Sequence, residues 1–326
     1  MDAHAYKEVK TKSGHLYNTF VLPPKDSSKA TFLFVHGFPS TAYDWRNQIA
    51  FFSAAGYGIV APDLLGHGGS SRPSDLASYV PSKATADLVD ILDHLNAQKV
   101  IAVGHDWGSI LVARLAQYFP GRTVATVFLG GGYCPPMPDF DLQVTLQKQQ
   151  ELAKTEMFAY WLFLGDTRAE AIVNAHLESL LTLWYTANDD LSRSVLTTRG
   201  ALENWLTSGK KAPLPAFISS QDHAHTLAAW TKAGGLGGAL KSFRLMFTDA
   251  MAKDDQHRGP RAAPRPVFFA GCARDPVCLA EPSAAIVRAL CDAPTVRVFD
   301  TGHWVQLEAP EKLNRALLEW AQGLGL

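Results

Sequence analysis

Short runs of consecutive apolar residues alternate with stretches that are apolar on one side only, and this rhythm dominates the N-terminal part of the chain. Thr31–Val35 (TFLFV), 57–61 (YGIVA), 99–104 (KVIAVG) and Thr123–Leu129 (TVATVFL) are short and almost wholly apolar. Such runs predict strands buried on both faces. Between them, 81–95 carries apolar residues at helical spacing, and 109–118 (SILVARLAQY) predicts a second helix. Buried strands alternating with helices predict a parallel sheet covered on both sides.

The pattern changes after the glycines at 130–132 and the prolines Pro135, Pro136 and Pro138. From about 139 to 260 it is helical, with candidates at 143–154, 168–183, 200–207 and Ser220–Lys232. The stretch 258–266 (RGPRAAPRP) reads as the next boundary. Strands then resume at 266–270 (PVFFA) and Thr295–Phe299 (TVRVF), followed by a last helix at 311–322. The expected layout is an α/β core formed by residues 1–135 and 262–326, with residues 136–261 inserted as a helical lid. A block inserted late in a parallel sheet is well placed to cap its carboxyl edge, where ligands of open α/β sheets bind.

Composition narrows the field. With 326 residues and 47% apolar side chains, the chain has material for a full core. A net charge of -1 gives no electrostatic footprint for nucleic acid or an anionic membrane. The N-terminal segment lacks the apolar centre of a signal peptide, and no run approaches the ~18–20 apolar residues of a membrane span. Cys134, Cys272, Cys278 and Cys291 form no CxxC pair and have no histidine at metal-ligand spacing. Buried free thiols in a cytoplasmic protein are expected, with no metal or organic cofactor and a monomer or homodimer as the assembly.

The chemistry concentrates at Gly104-His105-Asp106-Trp107-Gly108, between a predicted strand and a predicted helix. This is the G-x-Nu-x-G pattern of a nucleophile elbow, whose small end residues let a strained turn close and lift the central side chain above the sheet. An aspartate there would also serve as a helix N-cap, but five matched positions in that context favour the elbow. The central residue is Asp106 where serine is usual. Serine displacing a group at saturated carbon would leave an ether, which water does not cleave. A carboxylate leaves an alkyl ester whose carbonyl stays open to water. Asp106 therefore points to substitution at sp3 carbon followed by ester hydrolysis, with epoxides and haloalkanes as the obvious substrates.

Several segments together resemble the soluble epoxide hydrolases of the α/β-hydrolase superfamily. His36-Gly37-Phe38-Pro39 with Trp45-Arg46, the Asp63…Gly66-His67-Gly68-Gly69-Ser70-Ser71 loop, the elbow and Gly302-His303-Trp304 are all similar to that family's motifs. Asp275, just past the strand PVFFA, stands where the family carries its acid. The order Asp106…Asp275…His303 is that of nucleophile, acid and base. The resemblance implies an α/β-hydrolase fold, a mostly parallel twisted sheet flanked by helices with a helical lid inserted late, acting on a small apolar epoxide.

It also implies roles. His303 would activate water, and Asp275 would hold its ring. The backbone N–H groups of Phe38 and Trp107 would form the oxyanion hole, and Phe38-Pro39 would be a cis bond. Tyr160, in FAYW, resembles the first of two lid tyrosines that protonate the leaving oxygen, although an aromatic packing role would suit it too. At the second tyrosine the chain departs from the family, because Phe243 stands there. Tyr160 would then act alone, or Arg244 or Tyr185 would compensate. Phe38, Trp107, Trp161 and Phe243 are the expected substrate contacts, while Trp184, Trp205 and Trp230 line the pocket or pack the lid. Haloalkane dehalogenation and an epoxide-opening cyclase or rearrangement enzyme remain the alternatives. The first lacks an Asn after His-Gly, because Phe38 is there.

Overall fold

The computed structural model describes residues 1–26, 28–256 and 266–326. Among these, eight strands form one sheet: β1 (Tyr6–Lys10), β2 (Leu16–Leu22), β3 (Thr31–Val35), β4 (Gly58–Pro62), β5 (Val100–His105), β6 (Thr123–Leu129), β7 (Val267–Cys272) and β8 (Thr295–Phe299). Their order across the sheet is β1-β2-β4-β3-β5-β6-β7-β8. β1 and β2 pair antiparallel, β2 joins β4 antiparallel, and all later pairs are parallel. The strands read from the sequence are present within two residues of their expected ends. The hairpin β1–β2 was not foreseen: only Val9 of YKEVK is buried, so that strand leaves almost no apolar signal.

Helices α1 (Arg46–Ala54), α2 (Pro81–His94) and α3 (Trp107–Tyr118) alternate with the N-terminal strands. Between β6 and β7 lies an all-helical run: α4 (Leu142–Ala153), α5 (Ala159–Leu164), α6 (Ala169–Ala175), α7 (Leu177–Trp184), α8 (Asp189–Leu196), α9 (Ala201–Thr207), α10 (Ser220–Lys232), α11 (Lys241–Leu245) and α12 (Ala250–Gln256). α13 (Ala280–Leu290), α14 (Val305–Glu308) and α15 (Pro310–Gly323) complete the core. The single helix expected over 168–183 is two, because His176 leaves helical geometry at φ -123°, ψ 33° and separates α6 from α7. The boundary expected at 258–266 lies, apart from Pro266, outside the described residues.

Two apolar layers sandwich the sheet. One packs α2 and α3 against Leu33, Val100 and Phe128, and the other packs α1 and α15 against Phe32, Ile101 and Phe268. A third cluster joins the inserted helices to the elbow side of the core through Phe38, Tyr160, Phe243 and Trp304. A buried ion pair also binds core to insertion: Arg114 of α3 meets Asp255 of α12 at 2.7 Å with neither side chain exposed. All four cysteines are free, but only Cys272 and Cys291 are buried; Cys134 and Cys278 are partly exposed, contrary to the expected full burial. Among the described residues, no helix is long and apolar enough to cross a membrane.

Candidate active site

β5 ends at His105 and α3 begins at Trp107, so Asp106 alone makes the turn between them. Its backbone is left-handed in φ, at φ 54°, ψ -122°, a conformation few side chains adopt and one that marks stored strain. Crowding explains the flanking glycines. A Cβ on Gly104 would lie 2.5 Å from the Gly108 carbonyl oxygen, and one on Gly108 2.0 Å from that of Val35. The turn therefore lifts the Asp106 carboxylate clear of the sheet.

Backbone donors meet it there. The Phe38 N–H donates to Asp106 Oδ1 at 2.9 Å, and the Trp107 N–H also acts on the carboxylate. The Phe38-Pro39 bond is cis, as the resemblance implied. The His36 ring fixes this loop by accepting the Leu64 N–H at Nε2, 2.9 Å away.

Two loops after β7 and β8 bring in the other members. His303 Nε2 lies 3.8 Å from Asp106 Oδ2, and Nδ1 lies 2.6 Å from Asp275 Oδ2. Asp275 Oδ1 accepts the N–H groups of Val277 at 2.9 Å and Cys278 at 3.0 Å, so both its oxygens are committed. Asp275, Cys278 and His303 offer ligand atoms within 4.8 Å of one another.

Electrostatics follow from this packing. Burial pushes the Asp106 carboxyl above its ordinary range, and the Asp275 charge adds to that, while His303 and the two backbone N–H groups pull it back. Burial opposes charge on His303, but Asp275, through charge and hydrogen bond, and then Asp106 and Glu308 outweigh it and push His303 up to about 9. His303 is thus held toward its protonated form, facing Asp106 and Asp275.

A cavity of about 370 Å³ opens onto these groups, lined by Tyr160, Trp184, Ser192, Phe243 and Val277 among others. A larger one, about 650 Å³, lies beside it and does not reach Asp106; the two share Phe38 and Trp107 as walls. The smaller cavity is the candidate reaction chamber, since it holds the carboxylate and the imidazole.

A family profile described as the alpha/beta hydrolase fold matches residues 30–310. The chain belongs to the α/β hydrolases. Epoxide hydrolase A of Mycobacterium tuberculosis is 30% identical over 313 residues, which cover 90% of this chain and 91% of that one. This places the chain among the epoxide-hydrolase-like members. Bifunctional epoxide hydrolase 2 of Mus musculus is 25% identical, and the chain spans 50% of its length. A solved epoxide hydrolase from an endophytic Streptomyces matches with a TM-score of 0.82 and 26% identity, covering 98% of this chain and 95% of that one.

This α/β hydrolase gathers Asp106, Asp275, His303, Tyr160, Phe38, Trp107 and Phe243 at one place. Trp161 stands one ring back: it lines neither cavity, because its indole stacks on Trp107 at 5.1 Å and on Phe158 at 4.3 Å. Tyr185 and Arg244, weighed as replacement donors, are engaged elsewhere. The Tyr185 hydroxyl donates to Asp44 at 2.8 Å, and Arg244 pairs with Glu170 at 3.3 Å. Phe243 does sit opposite Tyr160, with ring centroids 6.0 Å apart.

Two participants were missed. Glu308 of α14 accepts the Gly302 N–H at 2.8 Å and the Trp304 N–H at 3.0 Å, bracing the histidine loop on both sides of His303. Its place five residues after His303 was the available signal. Ser192 of α8 lines the chamber, but in DDLSRSVL it looks like any solvent-facing serine.

Proposed function

We propose that this α/β hydrolase converts an epoxide to a vicinal diol through an alkyl ester on Asp106. The observation that carries the reading is the elbow carboxylate, held by backbone N–H groups and facing an imidazole already oriented by a second carboxylate. The names of the relatives support the same reaction class.

In the first half-reaction an Asp106 oxygen attacks an epoxide carbon. The ring C–O bond breaks, its electron pair goes to oxygen, and that oxygen takes the phenolic proton of Tyr160. Esterification removes the Asp106 charge, one of the influences holding the proton on His303. His303 then releases that proton, which returns Tyr160 to its neutral form. In the second half-reaction neutral His303 takes a proton from water, and the hydroxide adds to the Asp106 carbonyl. The N–H groups of Phe38 and Trp107 stabilise the oxyanion. The departing alkoxide takes the proton from His303, and the new Asp106 carboxyl gives its own back to the imidazole.

Residues 136–261 act as the lid and residues 1–135 and 262–326 as the catalytic core. The substrate is small and apolar, in keeping with Phe38, Trp107, Trp184 and Phe243 around the chamber. Residence in the cytoplasm and a monomer or homodimer complete the proposal.

The test is to mix His303→Gln with a panel of epoxides and haloalkanes and measure intact protein mass. Without its base, the variant is expected to form the ester and fail to hydrolyse it. A gain equal to the whole epoxide, abolished by Asp106→Ala, supports the mechanism. A gain short by one hydrogen halide reassigns the enzyme to dehalogenation, and no adduct with any compound overturns Asp106 as nucleophile.

A further inference from the structure

Among the described residues the chamber has one phenolic donor, Tyr160, facing Phe243, which has none. Close to Tyr160 is a donor that, among the described residues, has no well-formed hydrogen bond. Trp161 is only 8% exposed, and its Nε1–H has no hydrogen-bond partner. Native proteins rarely leave a buried N–H unpaired, so each instance calls for an explanation. The indole has little freedom to turn away, stacked at 12° on Phe158 and at 28° on Trp107, beside the nucleophile.

The surroundings of the Tyr160 hydroxyl point the same way. Burial and the charges of Asp106, Cys278 and Asp275 all resist its ionisation, and the Trp161 side chain favours it by hydrogen bonding toward the phenol oxygen. The indole N–H therefore reaches toward that oxygen, and at rest the contact falls short of a well-formed hydrogen bond.

We propose that Trp161 is a positioning residue for ring opening, its Nε1–H bonding to the Tyr160 oxygen as that oxygen gives up its proton. The assignment rests on the reading of Tyr160 as the proton donor. The epoxide oxygen gains the Tyr160 proton along with the electron pair of the broken C–O bond, and the phenolate left behind accepts the indole N–H, which keeps its own proton throughout. In a site shielded from water, a fixed donor waiting for the charge costs no rearrangement when the charge arrives. The second donor that Phe243 lacks is thereby supplied one atom further from the substrate.

The test uses the full chain in the His303→Gln background, with styrene oxide as probe and intact mass as the readout of single-turnover ester formation. Trp161→Phe keeps a stacked ring and removes the N–H. The expected result is alkylation slowed at least about tenfold, with the alkaline limb of its pH profile moved upward because the phenol ionises less readily. In a Tyr160→Phe background, the same Trp161→Phe change is expected to have no further effect. Alkylation at the parent rate in Trp161→Phe overturns the assignment. So does an equal loss with and without Tyr160, which would mean that the indole acts through packing or directly on the epoxide. Absence of any ester in the His303→Gln parent overturns the functional reading, and this assignment with it.

Discussion

Asp275→Asn is a nearly isosteric change whose outcome the surroundings dictate. In the native site Oδ1 accepts two backbone N–H groups, from Val277 and Cys278, and Oδ2 faces His303 Nδ1 at 2.6 Å. An asparagine has one oxygen, and the two fixed donors claim it. Its amide NH2 must then face His303 Nδ1, which becomes an acceptor, and the ring proton moves to Nε2. That nitrogen, 3.8 Å from Asp106, is the one needed to receive a proton from water. The wrong tautomer in a hydrogen-bonded triad costs about 10⁴-fold, on the order of 5 kcal/mol. The loss is expected in ester hydrolysis, with ring opening largely retained because it needs no base. Rapid-quench intact-mass measurement separates the two: the ester should accumulate to nearly one per chain and decay about 10⁴-fold more slowly than in the parent. Hydrolysis within about tenfold of the parent would refute the claim that Asp275 sets the tautomer.

Four other outcomes are expected. Tyr160→Phe leaves the chamber without a phenol, and ring opening should slow by about 10²- to 10³-fold, measured as single-turnover ester formation. Asp106→Asn removes one of the charges that raise His303, so its pKa should fall below about 9 in an NMR titration of the imidazole; an unchanged value would contradict the resting ion pair. The same raised pKa means that His303 stabilises the fold fully below its ordinary 6.5, a contribution lost as pH rises through 9. Asp255→Ala leaves the Arg114 charge buried without its partner and takes an acceptor from the Met137 N–H, so urea unfolding should show a loss of about 3–5 kcal/mol.

The core was legible because its signals are local. β3 and β6 are almost wholly apolar runs, largely buried, and the elbow, HGFP and GHW segments each confine a backbone requirement to a few consecutive residues. Asp275 and His303 could be placed because each follows a strand whose partner in the sheet fixes where its loop emerges. The insertion resisted for the opposite reason. Its helices are short, and packing among helices distant in sequence decides which side of each faces the chamber. Ser192 shows the difficulty, a serine that looks solvent-facing and lines the chamber, and Trp161, expected against the substrate, stacks on Trp107. The brace from Glu308 left only its closeness to His303 as a signal, since a carboxylate bonding backbone N–H groups needs no particular partner residue in the sequence.

The Trp304 indole donates to the carbonyl oxygen of Trp184 at 2.7 Å, tying the histidine loop to a residue whose side chain lines the chamber. Because the acceptor is main chain, position 184 separates two properties that active sites usually entangle. On the proposed mechanism, trimming its side chain would admit bulkier epoxides while its carbonyl still anchors the residue next to the proposed base. A library aimed at new substrates would begin there, carving the wall without unhooking the machinery behind it.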